Sequence, residues 1–106
     1  MTFEEIVAKV KELFGDSDVS GIQEHLAYQF NIIGEGEGAF YAEVKDGKLA
    51  IEPYEYHDRD CKFICTAEVL FNLISGKLDP VAAFMTGKLK VEGNLAKAMK
   101  IKELMQ

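Results

Sequence analysis

Residues 40–52 alternate apolar and polar side chains around the dipeptide Asp46-Gly47. Phe40, Ala42 and Val44 interleave with Tyr41, Glu43 and Lys45, and after the dipeptide Leu49 and Ile51 interleave with Lys48 and Glu52. A period of two sends successive side chains to opposite faces of a strand. Asp-Gly supplies two neighbouring residues that accept positive φ, which the tightest hairpin turn requires at both central positions. The chain therefore has to contain an antiparallel hairpin with one apolar face, and that face has to be covered.

The rest of the pattern supplies more sheet and the cover. Residues 25–33 read as a preceding strand, with Leu26, Tyr28, Phe30 and Ile32 on one face and Gln29 and Asn31 on the other. Residues 61–65 alternate as a fourth strand, and residues 88–92 as a fifth with Leu89 and Val91 inward. A Thr2-x-x-Glu5 capping box opens a helix in which Phe3, Ile6, Val7, Val10, Leu13 and Phe14 recur at helical spacing, up to Gly15. Thr66 is placed to cap a helix over residues 67–75. Asp79-Pro80 caps and begins a short one over residues 80–86, and Asn94 caps a terminal helix running to about Met105. Five short strands and four helices imply an α+β fold: a five-stranded, mostly antiparallel sheet with one polar face and helices on the other. At 106 residues the chain is expected to form a single domain, residues 1–106.

Composition narrows the function classes. Hydrophobic residues make up 48% and charged residues 28%, which is ordinary globular usage and argues against disorder. No apolar run approaches the roughly 18 residues of a membrane span. The acidic opening Met1-Thr2-Phe3-Glu4-Glu5 lacks the features of a secretory signal. Cys61 and Cys65, four residues apart on a strand, would stand about 13 Å apart, beyond the reach of a disulfide. Free thiols suit a reducing compartment, so the expected location is the cytoplasm. The net charge of −6 is unevenly divided: residues 87–106 hold five lysines against two glutamates, a balance of +3, which leaves −9 on residues 1–86. That acidic balance disfavours nucleic acid. For the basic end, Lys88 to Lys102, the plainer reading is a solvated face and the sharper one a transient contact with an anionic membrane.

The remaining motifs carry little chemistry. Gly34-Glu35-Gly36-Glu37-Gly38 lacks the spacing of a phosphate loop, and its glutamates would repel an anion, so it reads as a flexible connection. Residues 54–60 (YEYHDRD) gather titratable groups without a recognised metal spacing, and no metal or other cofactor is expected. His57 with Asp58 or Asp60 could exchange protons, yet no nucleophile or oxyanion site accompanies them, and the loop reads as solvated. His25 stands alone and reads the same way. The anomaly lies at the C-terminal end. Phe84 and Met85 fall on the short helix and Met99 and Met105 on the last. Leu95, Ala98, Ile101, Leu104 and Met105 spread over half of the terminal helix, with Met99 outside that arc. A helix lying on one sheet needs only a narrower stripe, so a second apolar contact is one reading and ordinary core the other.

At these residues the sequence resembles the sterol carrier protein 2 family, also called nonspecific lipid-transfer proteins. The resemblance rests on GAFYAEVKDGK (38–48), on Asp60-Cys61, and above all on SGKLDPVAAFMTGKLKVEGN (75–94). It implies five strands packed by helices over a hydrophobic tunnel for sterol, fatty acid, acyl-CoA or phospholipid, and no catalytic residues. It puts Phe84 and Met85 at the tunnel and makes the terminal helix its cover. The expected lipid-binding residues are Phe40, Leu70, Phe71, Ile74, Phe84, Met85, Met99, Leu104 and Met105. The expected activity is therefore non-catalytic lipid binding and transfer; the alternative is a ligand-free interaction module beside a lipid-metabolising enzyme. Many members carry a small-basic-leucine ending and are fused to enzymes; this sequence ends Leu104-Met105-Gln106, consistent with a stand-alone cytoplasmic carrier.

Overall fold

The computed structural model describes residues 1–14 and 19–104, the side chains of 103 and 104 excepted. Gly15, the expected stop of the first helix, and Met105 lie outside the described residues. The elements run α1 (Phe3–Phe14), β1 (Leu26–Ile33), β2 (Gly38–Lys45), β3 (Lys48–Glu52), β4 (Cys61–Thr66), α2 (Ala67–Ile74), α3 (Pro80–Met85), β5 (Lys90–Gly93), α4 (Leu95–Met99) and α5 (Ile101–Leu104). The sheet order is β3-β2-β1-β4-β5. Only the β1–β4 pair is parallel; the other three are antiparallel. The mixed, mostly antiparallel α+β sheet is the expected one.

Local chemistry accounts for most boundaries. Asp46 and Gly47 both adopt positive φ, 54° and 72°, and turn β2 into β3. The Thr2 amide donates to Glu5 Oε1 at 2.9 Å and the Glu5 amide to Thr2 Oγ1 at 3.2 Å, the reciprocal pair of a capping box. Thr66 Oγ1 accepts from the Val69 amide and starts α2. Inward residues of all five strands join Ile6, Val7, Val10 and Phe14 of α1 and Leu70, Leu73 and Ile74 of α2 in one core. Its centre is aromatic: Phe30 stacks on Phe40 at 5.0 Å and on Phe63 at 5.3 Å, as the β1–β2 and β1–β4 registers dictate. Leu13, expected in the apolar stripe, is 41% exposed. At about 100° per residue it falls at the edge of the arc set by the buried positions.

Three further expectations are corrected. The Gly34–Gly38 link is not merely loose: a Cβ on Gly36 would stand 2.4 Å from the Ile6 side chain, and one on Gly38 2.5 Å from the Phe3 ring. Those two glycines let the β1–β2 connection press against the first turn of α1. The outer face of the sheet is not simply polar and solvated. Gln29 is 1% exposed, because residues 53–60 fold back over it. Its Oε1 accepts the Tyr56 amide at 3.0 Å, and its Nε2 donates to Asn31 Oδ1 at 2.8 Å. The Tyr56 ring meets Tyr41 edge-on at 5.0 Å. Nor is His25 alone, since its Nε2 lies 2.5 Å from Glu43 Oε2, which also accepts the Tyr56 hydroxyl at 2.7 Å.

The terminal helix, expected to be continuous, is broken at Lys100. The Lys97 carbonyl accepts both the Lys100 amide, at 3.1 Å, and the hydroxyl of buried Tyr28, at 2.7 Å. This i→i−3 bond tightens the turn and separates α4 from α5.

Candidate functional site

The region around α3, β5, α4 and α5 is built by caps. Asp79 Oδ2 accepts the Ala82 amide at 3.1 Å, and Pro80 occupies the first turn. Thr86 closes α3 by donating its hydroxyl to the Ala82 carbonyl, 2.9 Å away. Six residues give this helix one inward position, Ala83, which is fully buried. Phe84 and Met85 consequently stand out, 43% and 78% exposed. The Lys88 and Leu89 amides then turn back onto the Ala83 carbonyl, at 2.9 and 3.1 Å. That turn buries Leu89 and delays β5 to Lys90, two residues later than the alternation suggests.

Asn94 caps α4 through the Lys97 amide at 3.0 Å. Among the described residues of α4 and α5, only Ala98 and Ile101 enter the core, while Leu95 and Met99 remain 54% and 42% exposed. Leu95, expected on the inward arc, instead stands at the surface as the first residue of α4. Polar contacts hold the cover instead. Lys97 Nζ lies 2.9 Å from Asp60 Oδ1, Lys102 Nζ lies 3.0 Å from Asp79 Oδ1, and Lys100 pairs with Glu24. Lys102 and the Ala82 amide hold the Asp79 carboxyl below its ordinary value of 3.8. Asp60 is a joint: besides Lys97, its carboxylate accepts the Ala27 amide at 2.8 Å and its carbonyl the Asn94 amide at 2.9 Å.

The expected lipid-binding residues fall into separate groups. Phe40, Leu70 and Ile74 are packed together in the core. Phe71 is partly buried and carries the Lys9 ammonium 5.0 Å above its ring. Phe84 and Met85 on α3 and Met99 on α4 are exposed. Leu104 ends α5, and Met105 lies outside the described residues. Phe71 also lines a cleft of about 510 Å³ with Met1, Ile6, Ile33, Glu35, Thr66, Ala67, Glu68 and Asn72. That cleft lies past the C-terminal ends of the parallel strands β1 and β4, and periodicity could not reveal it, since its wall comes from four separate elements.

The acid–base residues of the 54–60 loop are scattered. His57 and Asp58 face solvent, whereas Asp60 is committed to the joint. A cleft of about 320 Å³ links His57, Arg59 and Asp60 to Cys61, Lys62, Glu92 and Gly93. Burial pushes the Cys61 and Cys65 thiols up to about 12, so both are free, buried and protonated at neutral pH. On the outer face, the Tyr56 hydrogen bond holds Glu43 low, and Glu43 in turn pushes the Tyr56 hydroxyl up to about 12. Among the described residues no three His, Cys, Asp or Glu side chains gather as a metal site.

Comparison with known proteins identifies the family. Residues 4–106 match the model of the SCP-2 sterol transfer family. The chain belongs to that family. It is 37% identical over 103 residues to rat (Rattus norvegicus) hydroxysteroid dehydrogenase-like protein 2, covering 96% of this chain and 19% of that protein. It is 33% identical over 105 residues to rabbit (Oryctolagus cuniculus) sterol carrier protein 2, covering 98% and 19%. It thus spans about a fifth of the length of these relatives. The solution structure of palmitated SCP2L2 from Aedes aegypti shares the fold, with a TM-score of 0.70 at 20% identity, covering all of this chain and 96% of that one.

Proposed function

We propose that this chain binds a lipid with a long apolar tail, a fatty acid, acyl-CoA or sterol, and releases it without chemical change. The observation that carries the reading is the C-terminal cover. Among the described residues, the buried side chains Ala98 and Ile101 seat it, while Phe84, Met85, Leu95 and Met99 remain between 42% and 78% exposed. Family membership points the same way, and the palmitated mosquito structure is a case of this fold with a fatty chain. Moving 16 methylenes out of water gains on the order of 12 kcal/mol gross at about 0.8 kcal/mol each. Ordering the ligand and the cover offsets much of that. Few polar groups are needed for such binding, so selectivity should be broad. Buried reduced thiols suit a cytoplasmic carrier.

Titration with a fluorescent fatty acid tests this. We expect saturable binding at micromolar ligand and a melting temperature that rises with ligand concentration. Met85→Glu and Met99→Glu should each weaken binding at least tenfold and stay folded, since both positions are more than 40% exposed. No saturation at micromolar lipid sinks the reading. The second reading, an interaction module beside an enzyme, draws on the match to a fifth of a dehydrogenase-like protein. It predicts co-purification with an enzyme and affinity unaltered by either glutamate.

A further inference from the structure

The chain has a single arginine, Arg59, and it is half-buried with no carboxylate partner among the described residues. Its Nη1 donates to the Tyr56 carbonyl at 3.2 Å, and no other acceptor among the described residues takes the rest of the guanidinium fork. Arg59 shares with His57 and Lys62 the cleft of about 320 Å³ beside the start of β4 and the end of β5. Both carboxylates of that cleft are already engaged. Asp60 holds Lys97 and the Ala27 amide. Glu92, 62% exposed, stands 3.4 Å from the Nζ of Lys62, which is only 20% exposed. Counting Lys97 behind Asp60, three cations stand against two carboxylates, in a chain whose net charge is −6. Gly93 adds no side chain to the cleft and none fits, since a Cβ there would stand 2.6 Å from the Asp60 carbonyl. A guanidinium partly withdrawn from water without an anion is costly, and its planar fork matches the oxygens of a phosphate or a carboxylate.

We propose that this cleft binds the phosphate of a small soluble phosphomonoester. Arg59 takes two oxygens through its fork, Lys62 turns from Glu92 to a third, and His57 closes the mouth. The ion pair that Lys62 gives up is long and its partner exposed, so little opposes the exchange. Charge and size select the ligand. A monoester phosphate carries about −1.5 to −2 at neutral pH and presents three free acceptor oxygens. A carboxylate offers one charge and two oxygens, which would occupy Arg59 and leave Lys62 idle. The volume lies at the small end of ligand pockets, which run from roughly 300 Å³ upward, so a compact phosphorylated molecule fits and a polymer does not. None of the lining comes from residues 95–104, so the site is separate from the apolar cover and independent of the lipid-carrier reading.

Amide NMR shifts read the site directly. Titration with glucose 6-phosphate should move the amides of residues 57–62, 92 and 93 and reach saturation, and inorganic phosphate should move the same set. Acetate at equal ionic strength should bind about tenfold more weakly. Arg59→Lys keeps the charge and removes the fork, and should weaken glucose 6-phosphate binding about tenfold. Lys62→Gln should weaken it by about the same factor. Lys90→Gln, on the same face of the sheet as Lys62 but outside the cleft, should change nothing. Circular dichroism separates loss of binding from loss of folding, and if Arg59→Lys unfolds, Lys62→Gln decides alone. Shifts centred elsewhere, an equal response to acetate, or an equal loss with Lys90→Gln overturns the proposal. So does a response to inorganic phosphate without one to the ester, which would mark an adventitious anion only.

Discussion

The sheet and the C-terminal cover are held by opposite kinds of force. In the body, Tyr28, Phe30, Phe40 and Phe63 are each no more than 2% exposed and stack through the strand register. In the cover, residues 95–104, only Ala98 and Ile101 among the described side chains enter the core, and three lysines and one tyrosine hydroxyl add polar contacts to the body. Apolar burial is insensitive to charge and specific to shape, whereas exposed ion pairs are weak and easily exchanged. A domain divided in this way can open at one end without loosening the other. The proposed lipid binding would use both: a rigid wall and a removable one.

The contrast can be broken most directly in the body. Phe63→Ala should lower stability by about 3–5 kcal/mol, read as a urea midpoint shift, because the site is hemmed in by strands and cannot collapse. A loss under about 1 kcal/mol would show that the body is packed as loosely as the cover. At the seam between them, Gly93 has φ 105°, and a Cβ there would stand 2.6 Å from the Asp60 carbonyl. Gly93→Ala should cost about 2 kcal/mol and disturb backbone resonances of residues 60 and 94 first.

Gentler changes sharpen the division. Tyr28→Phe keeps the ring and removes the hydroxyl on the Lys97 carbonyl, worth about 1 kcal/mol. Hydrogen exchange should then quicken about fivefold over residues 95–101 and stay unchanged over residues 61–65. Equal acceleration in both would mean that cover and body open together. The smallest effect comes from Asp79, whose folded pKa is depressed mainly by Lys102. Its contribution is complete above the ordinary carboxylate value of 3.8 and is lost as pH falls through the lower folded value. Lys102→Met should return the Asp79 titration toward 3.8 by NMR, with little change at neutral pH.

Features set by near neighbours in the chain were legible beforehand. The Asp46-Gly47 turn, the Thr2–Glu5 box and the caps at Thr66, Asp79 and Asn94 depend on residues at most three positions apart. Strand alternation likewise placed the aromatic core. What stayed hidden joins distant positions. Gln29 disappears under Tyr56, 27 residues away, and His25 finds Glu43 across 18. The hydroxyl of Tyr28 meets Lys97 across 69 residues, and no local propensity marks a helix break imposed from outside. The candidate site was half legible for the same reason. Met85 and Met99 drew notice as residue types out of place, but the pairing of each cover lysine with a body carboxylate exists only once the sheet has formed.

Because β1 lies between β2 and β4, the sheet's middle position is filled early and flanked late. During synthesis, residues 26–52 can fold into a three-stranded meander whose β1 edge has nothing beside it until residues 61–66 emerge. An open edge bearing Tyr28, Phe30 and Ile32 invites pairing with another nascent chain. Production of this domain should therefore be limited less by the stability of the finished molecule than by the seconds for which that edge waits uncovered on the ribosome.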